Sequence, residues 1–336
     1  MASDTLYHGP DSALYDAHHW EDWLELCCIA NLDGEVDIAG ISDRLREQRA
    51  TRRDNEPEDD DGEADFSAAL DEAEETEEAA KDDKHFQRVK NWFLSLANRA
   101  KMLGEDYPFQ LNAENSKLKL RTTISPQHRL YVALLMMANL HHFSTSQSDL
   151  TSSFETMGIS VFRWLLPNHA EVHRFGKGPD NKGRYTGHIW KKIKKLADDL
   201  SCEIKCKKED FAANDNGDGG LDLVGWVPWK DAAPGRLAIL GQCACTPDWA
   251  KKQDEASGAR WATRLDFVTH PTTVILIPFF LRTSSGAWHR RTDFSGHLVI
   301  DRLRLLRTLA GTAAEFSKLP ALKHVETCLA AKEGAY

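Results

Sequence analysis

The 336 residues contain no apolar run approaching the roughly 18 needed to span a bilayer as a helix. The opening stretch MASDTLYHGPDSALYD also lacks the basic-then-apolar order of a secretory signal. These absences argue against a membrane partner and lead us to expect a cytosolic chain. The seven cysteines (Cys27, Cys28, Cys202, Cys206, Cys243, Cys245 and Cys328) are odd in number and sit mostly in apolar stretches, unlike the framework of a small secreted domain. They read as reduced thiols. Neither Cys202-x₃-Cys206 nor Cys243-x-Cys245 has the two-residue gap of a zinc knuckle. The fourteen histidines form no convincing hydrolase triad with serine and aspartate, and His141-His142 reads as a helix end.

A net positive charge, the usual footprint of a nucleic-acid binder, is also missing: the chain carries -10. The charge is unevenly placed, however. Asp54 to Asp83 holds sixteen acidic residues against the single basic Lys81, a local charge of -15 that leaves the remainder at +5. That is compatible with a phosphate backbone as partner but does not establish one. Residues 50–84, with NEPEDDDGEAD and DEAEETEEAAKDD, have too little apolar surface to offset the entropy of ordering, so a mobile insert is expected there.

Around that insert the apolar spacing is helical. HHWEDWLELCCIANL, the short DIAGISDRLRE and the stripe Phe86, Val89, Trp92, Phe93, Leu96, Ala97 each predict a helix. Ser125-Pro126 caps QHRLYVALLMMANLHHF, which is apolar nearly all round and is expected at the centre of an N-terminal helical domain spanning residues 1–143. STSQSDLTSS then reads as a polar connection, SFETMGISVFRWLLP as an amphipathic helix ended by Pro167, and YTGHIWKKIKKLADDL as another helix. GLDLVGWVPW, RLAILGQCAC and TTVILIPFFL are β-rich runs with turn residues between them, and DRLRLLRTLAG closes as a helix. Residues 144–336 thus predict a second domain of α+β or α/β class, with a central sheet buried on both faces.

The most informative segment is NGDGGLDLVGW (Asn216 to Trp226), followed about twenty residues later by RLAILGQCAC. This pair resembles the active-site strands of Mrr-type members of the PD-(D/E)xK, restriction-endonuclease-like superfamily. A Gly-rich turn there leads to an acidic residue on one strand, and Gln-Cys-Lys or a variant lies on the next. The resemblance implies a central mixed sheet flanked by helices and a Mg²⁺-dependent endodeoxyribonuclease, with Mn²⁺ able to stand in. It assigns Asp222 as the metal-binding aspartate and Gln242 as the residue replacing the superfamily's second acid. Glu155, in the Phe154-Glu155 pair of the first core helix, would complete the metal ligands; the competing reading is a helix N-terminal glutamate complementing the macrodipole.

Position 244 shares a strand face with Gln242 and would be lysine in most relatives; here it is Ala244. A lysine there orients or deprotonates the water and neutralises charge building on the phosphate. Lys251 and Lys252, in PDWAKKQDE, are candidates for a migrated lysine. Lys252 is preferred because it follows Trp249 by three residues, about 300° around a helix, whereas Lys251 points away. Asp218 reads as a turn aspartate between glycines. Lys191, Lys192, Lys194 and Lys195, with Arg184, Lys205, Lys207 and Lys208, form the most basic stretch, as compatible with a DNA groove as with a solvated helix face.

The resemblance therefore implies a DNA-cleaving enzyme of the prokaryotic restriction or phage-defence kind, its N-terminal domain conferring recognition or control, with a protein partner possible there. A catalytically inactive nuclease fold that binds DNA or a partner protein is the alternative that Ala244 motivates. A nuclease acting on RNA is compatible with the same residues.

Overall fold

The computed structural model describes residues 9–10, 16–54, 67–176 and 183–331. The chain divides into two compact units, one formed by residues 1–124, 283–286 and 328–336, the other by residues 125–282 and 287–327.

In the first unit, helix α1 (Ala17–Ala30) is followed by strand β1 (Glu35–Asp37), α2 (Ile38–Asp54) and the long α3 (Ser67–Leu103). Trp23, Leu24, Leu26, Ile29, Val89, Phe93 and Leu96 are buried, as their helical spacing predicts. Two features depart from the sequence reading. Residues 67–84 of the expected mobile insert belong to the helix that carries the Val89–Leu96 stripe. Their Ala, Glu and Lys are strong helix formers, and extending an already nucleated helix is much easier than starting one. Residues 55–66 of the insert lie outside the described residues. The unit is also not purely helical: β2 (Phe109–Leu111) and β3 (Lys117–Leu120) join β1 in an antiparallel sheet of order β1-β3-β2. The alternation in KLKL was a legible but very short strand signal.

The second unit begins with α4 (Pro126–Ala138). Ser125 Oγ accepts from His128 N at 3.1 Å, and His128 Nδ1 accepts from Ser125 N at 3.1 Å, which satisfies two otherwise orphaned donors. The apolar helix expected at the centre of the N-terminal half therefore belongs to this unit instead. A 3-10 run from Leu140 to Ser146 leads into α5 (Gln147–Leu165). Residues read as a polar connection are thus helical.

Strands β5 (Glu203–Ile204) and β8 (Leu265–Asp266) make a small antiparallel pair of their own. Five further strands form a mixed sheet: β4 (Glu171–Arg174), β6 (Leu223–Trp226), β7 (Ala238–Cys243), β9 (Thr272–Leu276) and β10 (Leu298–Ile300). Their order is β10-β9-β7-β6-β4, with β4, β6 and β7 antiparallel in turn, and β9 parallel to both β7 and β10. The three predicted strands are present; β4 and β10 were missed, being short. On one face α5 approaches so closely that a Cβ at Gly158 would lie 2.5 Å from a Leu223 methyl carbon, and one at Gly241 2.4 Å from the Phe162 ring. On the other face α6 (Ile189–Leu200) contributes Ile193, Leu196, Ala197 and Leu200 to a core with Val224, Trp226, Leu240 and Trp261. The fold class is therefore mixed α/β, built on a mixed sheet. No helix among the described residues is long and apolar enough to cross a membrane.

Candidate functional site

The site forms where β6 and β7 begin and end side by side. Leu223 pairs with Gly241, so continuing the register by one residue sets Asp222 opposite Gln242. The preceding turn is shaped by glycine: Gly219 and Gly220 have φ of 65° and 83°, the left-handed region that L side chains avoid. Both are also closely approached, since a Cβ at Gly219 would lie 2.3 Å from Arg264 Nη1 and one at Gly220 2.6 Å from Glu255 Cβ. Asp218 Oδ1 accepts from Gly220 N at 2.8 Å, so Asp218 does hold the turn, as its sequence context suggested.

Asp222 and Gln242 are 9% and 7% exposed. Asp222 Oδ2 accepts the backbone N–H of Cys243 at 2.7 Å. Gln242 Oε1 is buried and accepts no hydrogen bond among the described residues. Such an orphaned acceptor is costly unless a proton donor or cation meets it.

Glu155 is the ninth residue of α5, near its middle, which removes the reading of a glutamate placed to complement a helix N-terminus. It forms an ion pair with Arg174 Nε at 3.0 Å through an Oε2 that lacks a well-aligned hydrogen bond. Arg174 is fixed by further donations to Ser152 O at 2.7 Å and Thr156 Oγ1 at 2.9 Å. Sequence reasoning passed over Arg174 because β4 itself was not recognised.

Electrostatics join these groups. Burial pushes the Glu155 carboxyl up to about 7; Arg174 opposes the shift and Asp218 adds to it. Burial pushes Asp222 up to about 8, against the Cys243 hydrogen bond and with help from Glu155, Asp218 and Glu255. The structure thus adds Asp218 and Glu255 to the carboxylates expected from the sequence. Only their proximity in the fold reveals this, since Glu255 sits thirty-three residues from Asp222. A cleft of about 430 Å³ is lined by Glu155, Gly176, Asn214, Asn216, Gly217 and Asp218. A Cβ at Gly176 would stand 3.5 Å from Asp218 Oδ2 and 3.9 Å from Asp222 Oδ1, so the missing side chain leaves room between two carboxylates.

Ala244 is fully buried in an apolar cluster with Trp249, Ile275, Ile277 and Phe279. A lysine there would bury its stem and ammonium among these groups. Trp249 opens a single-turn helix, α7 (Trp249–Lys252), in which Lys251 is exposed and Lys252 half-buried. The charge of Lys252 acts on Cys245 and Asp248, whereas the main charges acting on Asp222 are Glu155, Asp218 and Glu255. None of the seven cysteines, all of them among the described residues, is in a disulfide.

The donors suit a hard divalent cation, being carboxylate and amide oxygens. Among the described residues, no three or more carboxylate, imidazole or thiol side chains form a ready-made metal cage. The expected set supplies two carboxylates and one amide, and the orphaned Gln242 Oε1 is the observation that fits a cation. No family model, curated protein or solved structure matches the chain.

Proposed function

We propose that the second unit is a metal-dependent endodeoxyribonuclease of the PD-(D/E)xK type, with Glu155, Asp222 and Gln242 as ligands to Mg²⁺ and Lys252 as the cationic partner. The observation that carries this reading is the juxtaposition of Asp222 with the orphaned Gln242 Oε1 at adjoining strand ends. The mixed five-stranded sheet with helices on both faces supports it. A bound hard cation polarises a phosphoryl oxygen and lowers the pKa of an attacking water.

The chain's own residues prepare that chemistry. Cys243 N–H orients the Asp222 carboxyl, and Arg174 holds Glu155 on the side facing the cleft. Burial raises the proton affinity of both carboxyls, to about 7 for Glu155 and about 8 for Asp222, so a cation held there would compete with those protons. Lys252, on the helix that follows β7, would offset charge developing on the phosphate. By analogy with nucleases of this type, the chain would act among prokaryotic restriction or phage-defence effectors, with a protein partner engaging the first unit.

Incubation of supercoiled plasmid with Mg²⁺ and with EDTA tests the reading: nicking or linearisation is expected only with the metal. The burial of Ala244 in an apolar cluster favours a second reading, an inactive nuclease fold that binds DNA. It would show as plasmid retention without cleavage under either condition. Substrate competition with RNA tests the choice of nucleic acid.

A further inference from the structure

Lys192 sits in the first turn of α6 on the face that packs into the core, between Ile189 and Ile193. Three physical costs attach to a lysine at that position. The helix N-terminus repels a cation, the site is only 2% exposed, and an apolar residue there would extend the face formed by Ile193 and Leu196. The sequence pattern had grouped Lys192 with the neighbouring lysines as a solvated face or DNA groove. The structure separates it from them: Lys191 and Lys194 are exposed, and Lys195 pairs with Asp199 at 3.1 Å.

The Lys192 ammonium donates to the backbone carbonyls of Asn216 at 3.1 Å and Gly217 at 2.9 Å. Those residues, with Asp218, form one wall of the acidic cleft. The same helix end fastens the chain just upstream, where Ile189 N donates to Asp215 O at 2.8 Å and His188 Nε2 meets Ala212 O at 2.8 Å. Beyond the Lys192 contacts, the 216–220 turn carries Asp218 towards Glu155 and ends at Asp222.

We infer that Lys192 is a positioning residue of the proposed metal centre: its ammonium pins the Asn216–Gly217 carbonyls and so sets where Asp218 and Asp222 present their oxygens. This rests on the nuclease reading above. An arginine at 192 carries the charge but cannot bring one nitrogen to both carbonyls in the same way, and methionine carries none. Supports of this kind typically change metal affinity by 10–100-fold when removed.

The test uses the full chain as wild type, K192R and K192M, with Mn²⁺ binding measured by isothermal titration and amide hydrogen exchange of residues 212–222 measured without metal. The expected result is Mn²⁺ binding weakened about tenfold or more in K192M and less in K192R. Exchange at Gly217 to Gly220 should quicken in both, beyond any change elsewhere in the unit. Wild-type Mn²⁺ affinity and exchange in K192R, or in K192M where it folds, overturn the inference and leave the nuclease reading standing. If the wild-type chain binds no Mn²⁺, the nuclease reading falls and this inference with it.

Discussion

The carboxylate of Asp222 accepts a hydrogen bond from the backbone N–H of Cys243 at 2.7 Å, which ties the acid at the start of one strand to the residue after Gln242 on its neighbour. This bond fixes one carboxyl oxygen and leaves the other for the cleft side, where a Cβ at Gly176 would be 3.9 Å from Oδ1. It makes the geometry of the Asp222–Gln242 pair a property of the sheet and not of a loop.

A pH dependence follows from the buried carboxyls. Glu155 and Asp222 bind protons more tightly in the folded state, at about 7 and about 8, than at their ordinary values of 4.5 and 3.8. Between those limits the folded state holds more protons than the unfolded one, so this contribution to stability is full at low pH and is lost as pH rises through 7 to 8. Urea denaturation in EDTA should show wild-type stability declining across that window relative to the E155Q/D222N double variant. A wild-type advantage that grows with pH would contradict the assignment.

Arg174 serves Glu155 and the α5 backbone together. R174M removes the donor to Thr156 Oγ1 and one of the donors to Ser152 O, which still accepts from Thr156 Oγ1 at 3.0 Å, and takes away the cation beside a half-buried acid. A loss of about 2 kcal/mol in denaturant unfolding is expected, from charge-assisted bonds of this kind. Stability unchanged within error would show that the ion pair is incidental.

Gly220 combines a left-handed backbone with a close approach to Glu255. G220A should therefore cost at least about 1 kcal/mol of stability, where an alanine at a relaxed position would be neutral or favourable. It should also shift Asp222 and lower cleavage. An unchanged thermal midpoint with full activity would show that the turn tolerates a side chain.

The two lysines of α7 separate the enzyme from the inactive module. K252A should abolish plasmid cleavage while DNA binding in EDTA persists, because the loss falls on charge developed in the transition state. K251A, at an exposed position, should do much less. Equal and full activity in both variants would remove Lys252 from the mechanism.

The legible parts of this protein were those governed by local periodicity. The apolar spacing of Trp23 to Ile29 and Val89 to Leu96 was sufficient for helices, and VILI and AILG for buried strands. Asp222 and Gln242 were singled out by the resemblance of their two segments to PD-(D/E)xK active-site strands, while alternation alone gave only that position 244 shares a face with Gln242. What was not legible depended on tertiary contact. Arg174 sits on a four-residue strand with no pattern of its own, and Glu255 reaches Asp222 only through the packing of the Gly219–Gly220 turn. Lys192 looked like one lysine among several because the sequence does not reveal that its helix face meets the Asn216–Gly217 carbonyls. The helical course of the acidic run after Ser67 was not anticipated, because its low hydrophobicity was weighed above its helix propensity.

The proposed role of Asp222 as a metal ligand of a nuclease is tested most directly by one assay. Wild type and D222N are compared for nicking of supercoiled plasmid in Mg²⁺, with matched thermal midpoints confirming that both are folded. The side-chain carbonyl of D222N can still accept from Cys243 N–H, so the substitution removes the charge while keeping the strand contact. Metal-dependent cleavage by wild type is expected, with a loss of at least about 100-fold in D222N, the scale of a lost metal or transition-state interaction. Cleavage by D222N at the wild-type rate would contradict that role.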